Sequence, residues 1–328
     1  MAFSAFLAAI LTSSAIVPPA TQPAPDIAPA EAPPPNPLPG SETPDAIVAG
    51  EKDYYQRMTV PVTIDGEGPF RFMIDTGAQA TVVTRGLTEK LNLTPAGSAT
   101  VVGMGSRRTV QLVELDGLEF AERTLNNISA PMLEARHIGA DGILGLDSLQ
   151  DLRVMIDFRD QTITVNDSDA LGGNQGYEIV VRARHKLGRL IMTQADIDGV
   201  KTAVIIDTGA QNSFGNMRLK RRLRARNPDE VSAMDVNGEE ITGNRHFAKR
   251  LKIQQLHLEN MPITFAESPA FAALDLEKRP ALILGMRDLR LFNRVAIDFA
   301  TRRVLFDLPA GRGSNGPMRT SPMGGRLN

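Results

Sequence analysis

Phe72-Met-Ile-Asp75-Thr-Gly-Ala-Gln79 and Val204-Ile-Ile-Asp207-Thr-Gly-Ala-Gln211 carry one pentapeptide after the same apolar approach, 132 positions apart. A single Asp-Thr-Gly is an ordinary turn sequence. Two in matched surroundings mark an internal repeat with the period of a small domain. The match extends outward. Upstream, Val60-Pro-Val-Thr-Ile-Asp65-Gly66 and Gln194-Ala-Asp-Ile197-Asp198-Gly199 each predict a strand, an Asp-Gly turn and a second strand that ends at the repeated Asp. Downstream, Asp141-Gly-Ile143-Leu144-Gly145 and then Val154-Met-Ile156-Asp157-Phe158 are echoed by Ala281-Leu-Ile283-Leu284-Gly285 and then Val295-Ala-Ile297-Asp298-Phe299. A carboxylate duplicated in this way points to one site built from two halves.

Asp-Thr-Gly followed by a later apolar-apolar-Gly, both duplicated, resembles the two-lobed aspartic proteases of pepsin type. The Ala78 and Ala210 that follow each Asp-Thr-Gly are closer to the retroviral single-lobe proteases, which dimerise to complete one site. The chain thus resembles two retropepsin-like lobes in tandem, over roughly residues 55–308. The resemblance implies a mainly β fold: two homologous acid-protease-type β-barrel lobes, a cleft between them and a few short helices. It also implies that Asp75 and Asp207 face each other across the lobe boundary with the attacking water between them. Thr76 and Thr208 would hydrogen-bond across that boundary, and Gly77 and Gly209 would allow the tight turn after each Asp. The substrate would be a polypeptide, hydrolysed without metal or cofactor. Because both acids lie in one chain, a monomer would hold a complete dyad. The flap candidate is Val101–Thr109, whose Gly103-Met104-Gly105 tip suits a mobile hairpin and lacks the Tyr usual in pepsin-type flaps. Asp235–Thr242 is the matching stretch of the second half, with an Asn237-Gly238 hairpin signal, so one flap or two could cover the cleft. Gln79 and Gln211 have no role assigned by the resemblance.

The chemistry explains the pair. Hydrolysing an amide without a metal or covalent nucleophile needs a base to activate water and an acid to protonate the substrate. Two carboxylates held close cannot both ionise cheaply, so they share a proton and supply both functions. Alternatives from other classes are a non-catalytic peptide-binding module and a structural envelope protein on the same fold. Other catalytic classes lack their residues. There is no Cys, His137, His185, His246 and His257 show no metal-ligand spacing, and no Gly-x-Ser-x-Gly elbow occurs. The formal net charge of −2 and the absence of Trp give no footprint for nucleic acid.

The remaining chain sets boundaries. Residues 1–20 read as a signal peptide, with an apolar run from Phe3 to about Val17 but no Lys or Arg before it. Residues 21–50 are a Pro/Ala-rich linker that cannot build a core. The expected lobes are 51–166 and 177–309, joined by a polar link at 167–176 and followed by a disordered Gly/Pro/Arg tail at 310–328. The product is expected outside the cytoplasm, periplasmic or secreted, with no stable membrane span after processing. Anchoring by an uncleaved N-terminal segment is the alternative. Short helices are expected at Arg85–Leu91, Ser148–Leu152, Met217–Arg226 and Met286–Leu291. The basic run from Arg218 to Arg226 fits a solvated helix face, or else a contact for anionic lipid or an acidic partner.

Overall fold

Both Asp-Gly pairs form two-residue turns with positive φ at each position, 50° and 76° at Asp65-Gly66 and 47° and 85° at Asp198-Gly199. That is the twist a tight hairpin requires. They join Met58–Ile64 to Glu67–Ile74 and Arg189–Ile197 to Val200–Ile206, each second strand delivering its chain to the repeated Asp. The structure is a computed structural model that describes residues 58–121, 123–167, 174, 176–186, 189–226 and 229–309. Short strand fragments at 2–3, 8–10, 47–49, 51–52 and 318–319 are also described. Most of the expected signal peptide, linker, interlobe link and tail therefore lies outside the described residues.

The chain is mainly β, with six short helices among the described residues. Each half builds its own sheet around a three-strand centre. In the first, Gly142–Leu144 runs parallel to Phe72–Ile74 and antiparallel to Val82–Val83. In the second, Ala281–Leu284 runs parallel to Ala203–Ile206 and antiparallel to Phe214–Gly215. These strands are buried along nearly their whole length, which explains their continuous apolar runs where an edge strand would alternate.

A third sheet ties the halves together. Its six strands run in the order Ile179–Arg182, Arg303–Asp307, Arg294–Asp298, Leu152–Asp157, Thr162–Asp167 and Ile47–Ala49. At its middle Met155 lies opposite Ala296, its own counterpart in the repeat, so a local two-fold axis passes through this pair. The repeated Ile-Asp-Phe now has an explanation. Asp157 Oδ1 accepts the backbone N–H groups of Arg159 and Asp160, and Asp298 Oδ1 accepts that of Thr301. Each Asp closes the hairpin turn that follows it. One buried core cluster runs through the sheet, containing Phe72, Leu144 and Ile156 from one half and Val204, Leu284 and Phe306 from the other.

Helices Arg85–Leu91, Leu146–Leu149, Met217–Leu223 and Met286–Leu289 stand near their expected places. Thr84 and Asn216 cap the first and third by accepting the N–H of Leu87 and Leu219. The third is shorter than the basic run, because Arg224 turns left-handed at φ 51°. Only its Leu219 is buried, while Arg218, Arg221, Arg222, Arg224 and Arg226 are exposed, which is the solvated face. Strands Pro95–Val102, Ile128–Leu133, Asp229–Met234 and Leu256–Phe265 were not expected, since their periodicity is broken by Pro, Gly or charge.

Arg153 of the first half reaches Asp298 of the second through Nε at 2.9 Å and Nη2 at 2.5 Å, and both side chains are buried. Asp298→Ala would remove the buried carboxylate that a buried guanidinium contacts at the lobe junction. We expect a loss of ~3–5 kcal/mol in urea unfolding, and a loss under 1 kcal/mol would contradict this role.

Candidate functional site

Asp75 and Asp207 follow their central strands directly, and the repeated apolar-apolar-Gly segments clamp the loops behind them. Asp75 N–H donates to Leu144 O at 3.1 Å, and Leu146 N–H to Ala78 O at 2.9 Å. In the second half Asp207 N–H donates to Leu284 O at 3.0 Å, and Met286 N–H to Ala210 O at 2.8 Å. The carbonyls of Gln79 and Gln211 join the same clamp, accepting from Asp147 N–H and Arg287 N–H. This backbone contact is one their side-chain identity could not reveal. Gly145 and Gly285 are required because a Cβ there would collide with the backbone of Ala80 and of Asn212.

The two loops meet across the boundary. Thr76 N–H donates to Thr208 Oγ1 at 3.1 Å, and Thr208 N–H to Thr76 Oγ1 at 3.2 Å. Each hydroxyl then donates to the opposite strand, Thr76 Oγ1 to Ile206 O at 3.0 Å and Thr208 Oγ1 to Ile74 O at 2.7 Å. Every polar group of this four-bond lattice is buried, so no water competes for it. Gly77 and Gly209 fit their expected place for a more specific reason than turn freedom. A Cβ on Gly77 would lie 2.5 Å from Asp207 Oδ2, and one on Gly209 would strike the Asp75 carboxyl.

Both carboxyls are fully buried, and their two oxygens are treated differently. Asp75 Oδ1 accepts the N–H groups of Gly77 (2.7 Å) and Ala78 (3.0 Å), and Asp207 Oδ1 those of Gly209 (2.9 Å) and Ala210 (3.0 Å). Neither Oδ2 receives an N–H or hydroxyl donor, which leaves each to share a proton with the opposite carboxyl. Burial pushes Asp75 up to about 6, against the pull of its backbone donors. Asp207 is raised well above the usual carboxylate range, first by burial and then by the neighbouring charge of Asp75. The pair holds a proton that isolated carboxyls would have lost.

Arg189 completes the surroundings and was not anticipated. It is fully buried, comes from the second half, and donates through Nε to Gly77 O of the first at 2.9 Å, with Nη2 on the same carbonyl. Burial lowers it to about 10, while the charges of Asp207 and Asp75 favour its charged form. Its charge in turn lowers both acids, limiting the rise that burial imposes. A signal existed: Arg189 stands 18 positions before Asp207, and Arg57 stands 18 before Asp75. Arg189 opens its strand, and Arg57 lies outside the described residues.

Two hairpins cover the carboxyls. Pro95–Val102 and Arg107–Leu115 carry the Gly103–Ser106 tip, and Asp229–Met234 and Glu240–Ile253 carry the Asp235–Glu239 tip. Met104 is buried among second-half residues that include Ala210, Phe214 and Ile283. Val236 is buried among first-half residues that include Ala78, Val82 and Ile143. Each tip thus plugs the opposite half, beside the Ala that follows its Asp-Thr-Gly. Asp235 latches them together, its Oδ2 accepting Ser106 Oγ at 2.6 Å and Gly105 N–H at 3.1 Å. Gly103 and Gly105 do not have positive φ. In this closed arrangement the tip glycines admit Asp235 and Ile241 at close approach, and Met104 is buried.

A family model described as aspartyl protease matches residues 60–148 and 193–287, together more than half of the chain. The two matches fall one on each half, each containing one Asp-Thr-Gly-Ala. No curated relative matches the chain.

The raised acids make stability depend on pH. Between 3.8 and about 6 the unfolded chain has released a proton that native Asp75 still holds, so the stability Asp75 contributes falls as pH rises through that window, and Asp207, raised well above its usual range, carries the fall to higher pH. An Asn in place of Asp75 does not titrate. Asp75→Asn should therefore be more stable than the parent at pH 7, by on the order of 2 kcal/mol, with the advantage vanishing near pH 4. Urea unfolding at both pH values checks this, and a variant less stable at pH 7 would contradict it.

Proposed function

Because the chain belongs to the aspartyl protease family, we propose that it is an aspartic endopeptidase whose two halves supply one carboxyl each to a single site. The observation that carries this is the dyad itself. Asp75 and Asp207 are buried across the lobe boundary, each with one oxygen fixed by backbone amides and the other turned to its partner's loop. That arrangement holds one proton between two acids, which suits them for opposite tasks.

The reaction begins with one carboxyl ionised and one protonated. The ionised carboxylate removes a proton from water, whose oxygen attacks the carbonyl carbon of the scissile amide. The protonated carboxyl donates to the carbonyl oxygen, giving a neutral diol intermediate. The dyad has now exchanged roles. One diol hydroxyl returns its proton to a carboxylate, the nitrogen takes a proton from the other carboxyl, and the C–N bond breaks to leave an acid and an amine. Arg189 touches no reacting atom; it positions the Gly77 loop and moderates the acidity of the pair.

Access requires the tips to part, since both carboxyls are covered. An extended polypeptide could then lie under the hairpins and pair with their backbones. A monomer suffices, as the described residues of one chain supply both acids and both tips.

Asp75→Asn and Asp207→Asn should each lower kcat on a denatured protein substrate by ~10³-fold or more, with circular dichroism unchanged. Near-parental turnover in either variant would contradict the two-carboxyl mechanism. Tight peptide binding by a parent that never cleaves would instead favour a non-catalytic binding module.

A further inference from the structure

The repeat places two equivalent cavities against the hairpin tips, one on each half, and their charges are opposite. The first, of about 230 Å³, is lined by Arg85, Arg108, Arg136 and His137, with Glu134 beside them. The second, of about 400 Å³, is lined by Glu230, Glu240 and Glu267 together with Met217 and Ile241. Their equivalence follows from capping and strand register. Thr84 and Asn216 cap matching helices, which sets Met217 at the place of Arg85. In the hairpins Arg108 pairs with Val101, and Ile241 with Ala233, one step from the tip in each case, which sets Ile241 at the place of Arg108. Glu134 and Glu267 also correspond, each following the strand that flanks the capped helix. The shared Glu therefore meets an Arg in one half and a Met in the other.

Both cavities adjoin the tips that cover the dyad. Each is roofed by the tip of the opposite half, the first by Val236 and Asn237 and the second by Gly105. Leu133 and Val236 of the first cavity also belong to the apolar cluster that contains Ala78, three residues from Asp75.

The first cavity keeps uncompensated positive charge. Arg85 is paired with Glu134 at 3.0 Å. Arg108 donates to the carbonyl of Asn237 at 3.2 Å, and Arg136 to His137 Nε2 at 3.2 Å. Neither meets a carboxylate within ion-pair distance among the described residues. His137 is held below its usual range by burial and by Arg136, so it adds an acceptor and not a second screen of charge. Asn237, nearly fully buried, contributes a second observation. Its Nδ2 donates to Ser106 Oγ at 2.9 Å, whereas its buried Oδ1 receives no donor. An orphaned acceptor next to unpaired guanidinium groups suits a segment that brings an N–H and a carboxylate together.

We propose that the first-half cavity is a subsite for an Asp or Glu side chain of the bound polypeptide. The acidic second-half counterpart repels that same side chain, so the cleft fixes the direction in which a chain lies across the two-fold dyad. A cleft of true two-fold symmetry would bind a peptide equally in either direction; opposite charge at equivalent positions removes that degeneracy. This rests on the reading of the cleft as a polypeptide site, but not on cleavage.

The test therefore reads binding. Asp75→Asn protein is titrated with fluorescent extended peptides that carry Glu, Ala or Lys at each position in turn, at low and high salt. At one position Glu should bind at least ~5-fold tighter than Lys, with the preference shrinking as salt rises. Arg136→Glu in the same background should reverse that preference. Arg108→Glu should do likewise; Arg136→Gln, which cannot introduce repulsion, should only flatten it. Thermal unfolding confirms that each variant is folded. No preference at any position, a preference unchanged by both Glu variants, or no binding of any peptide overturns the subsite. An intact, reversible preference in a parent that never cleaves would retain the subsite and sink the peptidase reading alone.

Discussion

Everything in the site depends on the reciprocal hydrogen bonds between Thr76 and Thr208. Each half has its own sheet above the shared six-stranded one, and the loops that carry the acids must still be brought into register. The threonine lattice, with both hydroxyls and both amides satisfied across the boundary, admits one register. It sets the separation of two loops whose glycines already lie against the opposing carboxyls. An isolated buried carboxyl would gain little from that approach. A pair gains the ability to hold one proton in common, at the cost of keeping two acids dry. The six-stranded sheet and the Arg153–Asp298 contact hold the same junction from below.

From above it is held by exchange. Each half sends a hairpin tip into the apolar cluster of the other, Met104 in one direction and Val236 in the other, and Asp235 fastens the two tips. Arg189 makes a similar crossing at the level of the dyad. The exchange is symmetric in backbone but not in chemistry. Gly103 in one tip corresponds to Asp235 in the other, the two being in contact, so a repeated element has been divided into a latch and its receiver. The charged cavities diverge in the same manner.

Much of this was legible in the sequence because the repeat doubles each signal. The Asp-Gly turns and the strands entering Asp75 and Asp207 occupy their expected places, and the repetition of the apolar-apolar-Gly and Ile-Asp-Phe segments was visible before their roles were. What escaped has physical reasons. Strands such as Pro95–Val102 and Leu256–Phe265 take their order from neighbours in the sheet, and their own alternation is weak. Arg189 looks like any surface base until its partner, a backbone carbonyl 112 residues away, is seen. The contact of Gly103 with Asp235 escaped because a sequence shows the missing Cβ but not the carboxylate that fills its space. The carbonyls of Gln79 and Gln211 join the clamp, which no side chain discloses.

The central claim is that one chain encloses one complete site made from unlike halves. Mixing the two inactive chains, Asp75→Asn and Asp207→Asn, tests it most directly. If each chain closes on itself, every site in the mixture carries one Asn, and hydrolysis stays at the level of either variant alone across concentration. If halves from different chains assemble the site, some sites regain both aspartates. Activity recovering in the mixture, and growing with protein concentration, would contradict the account.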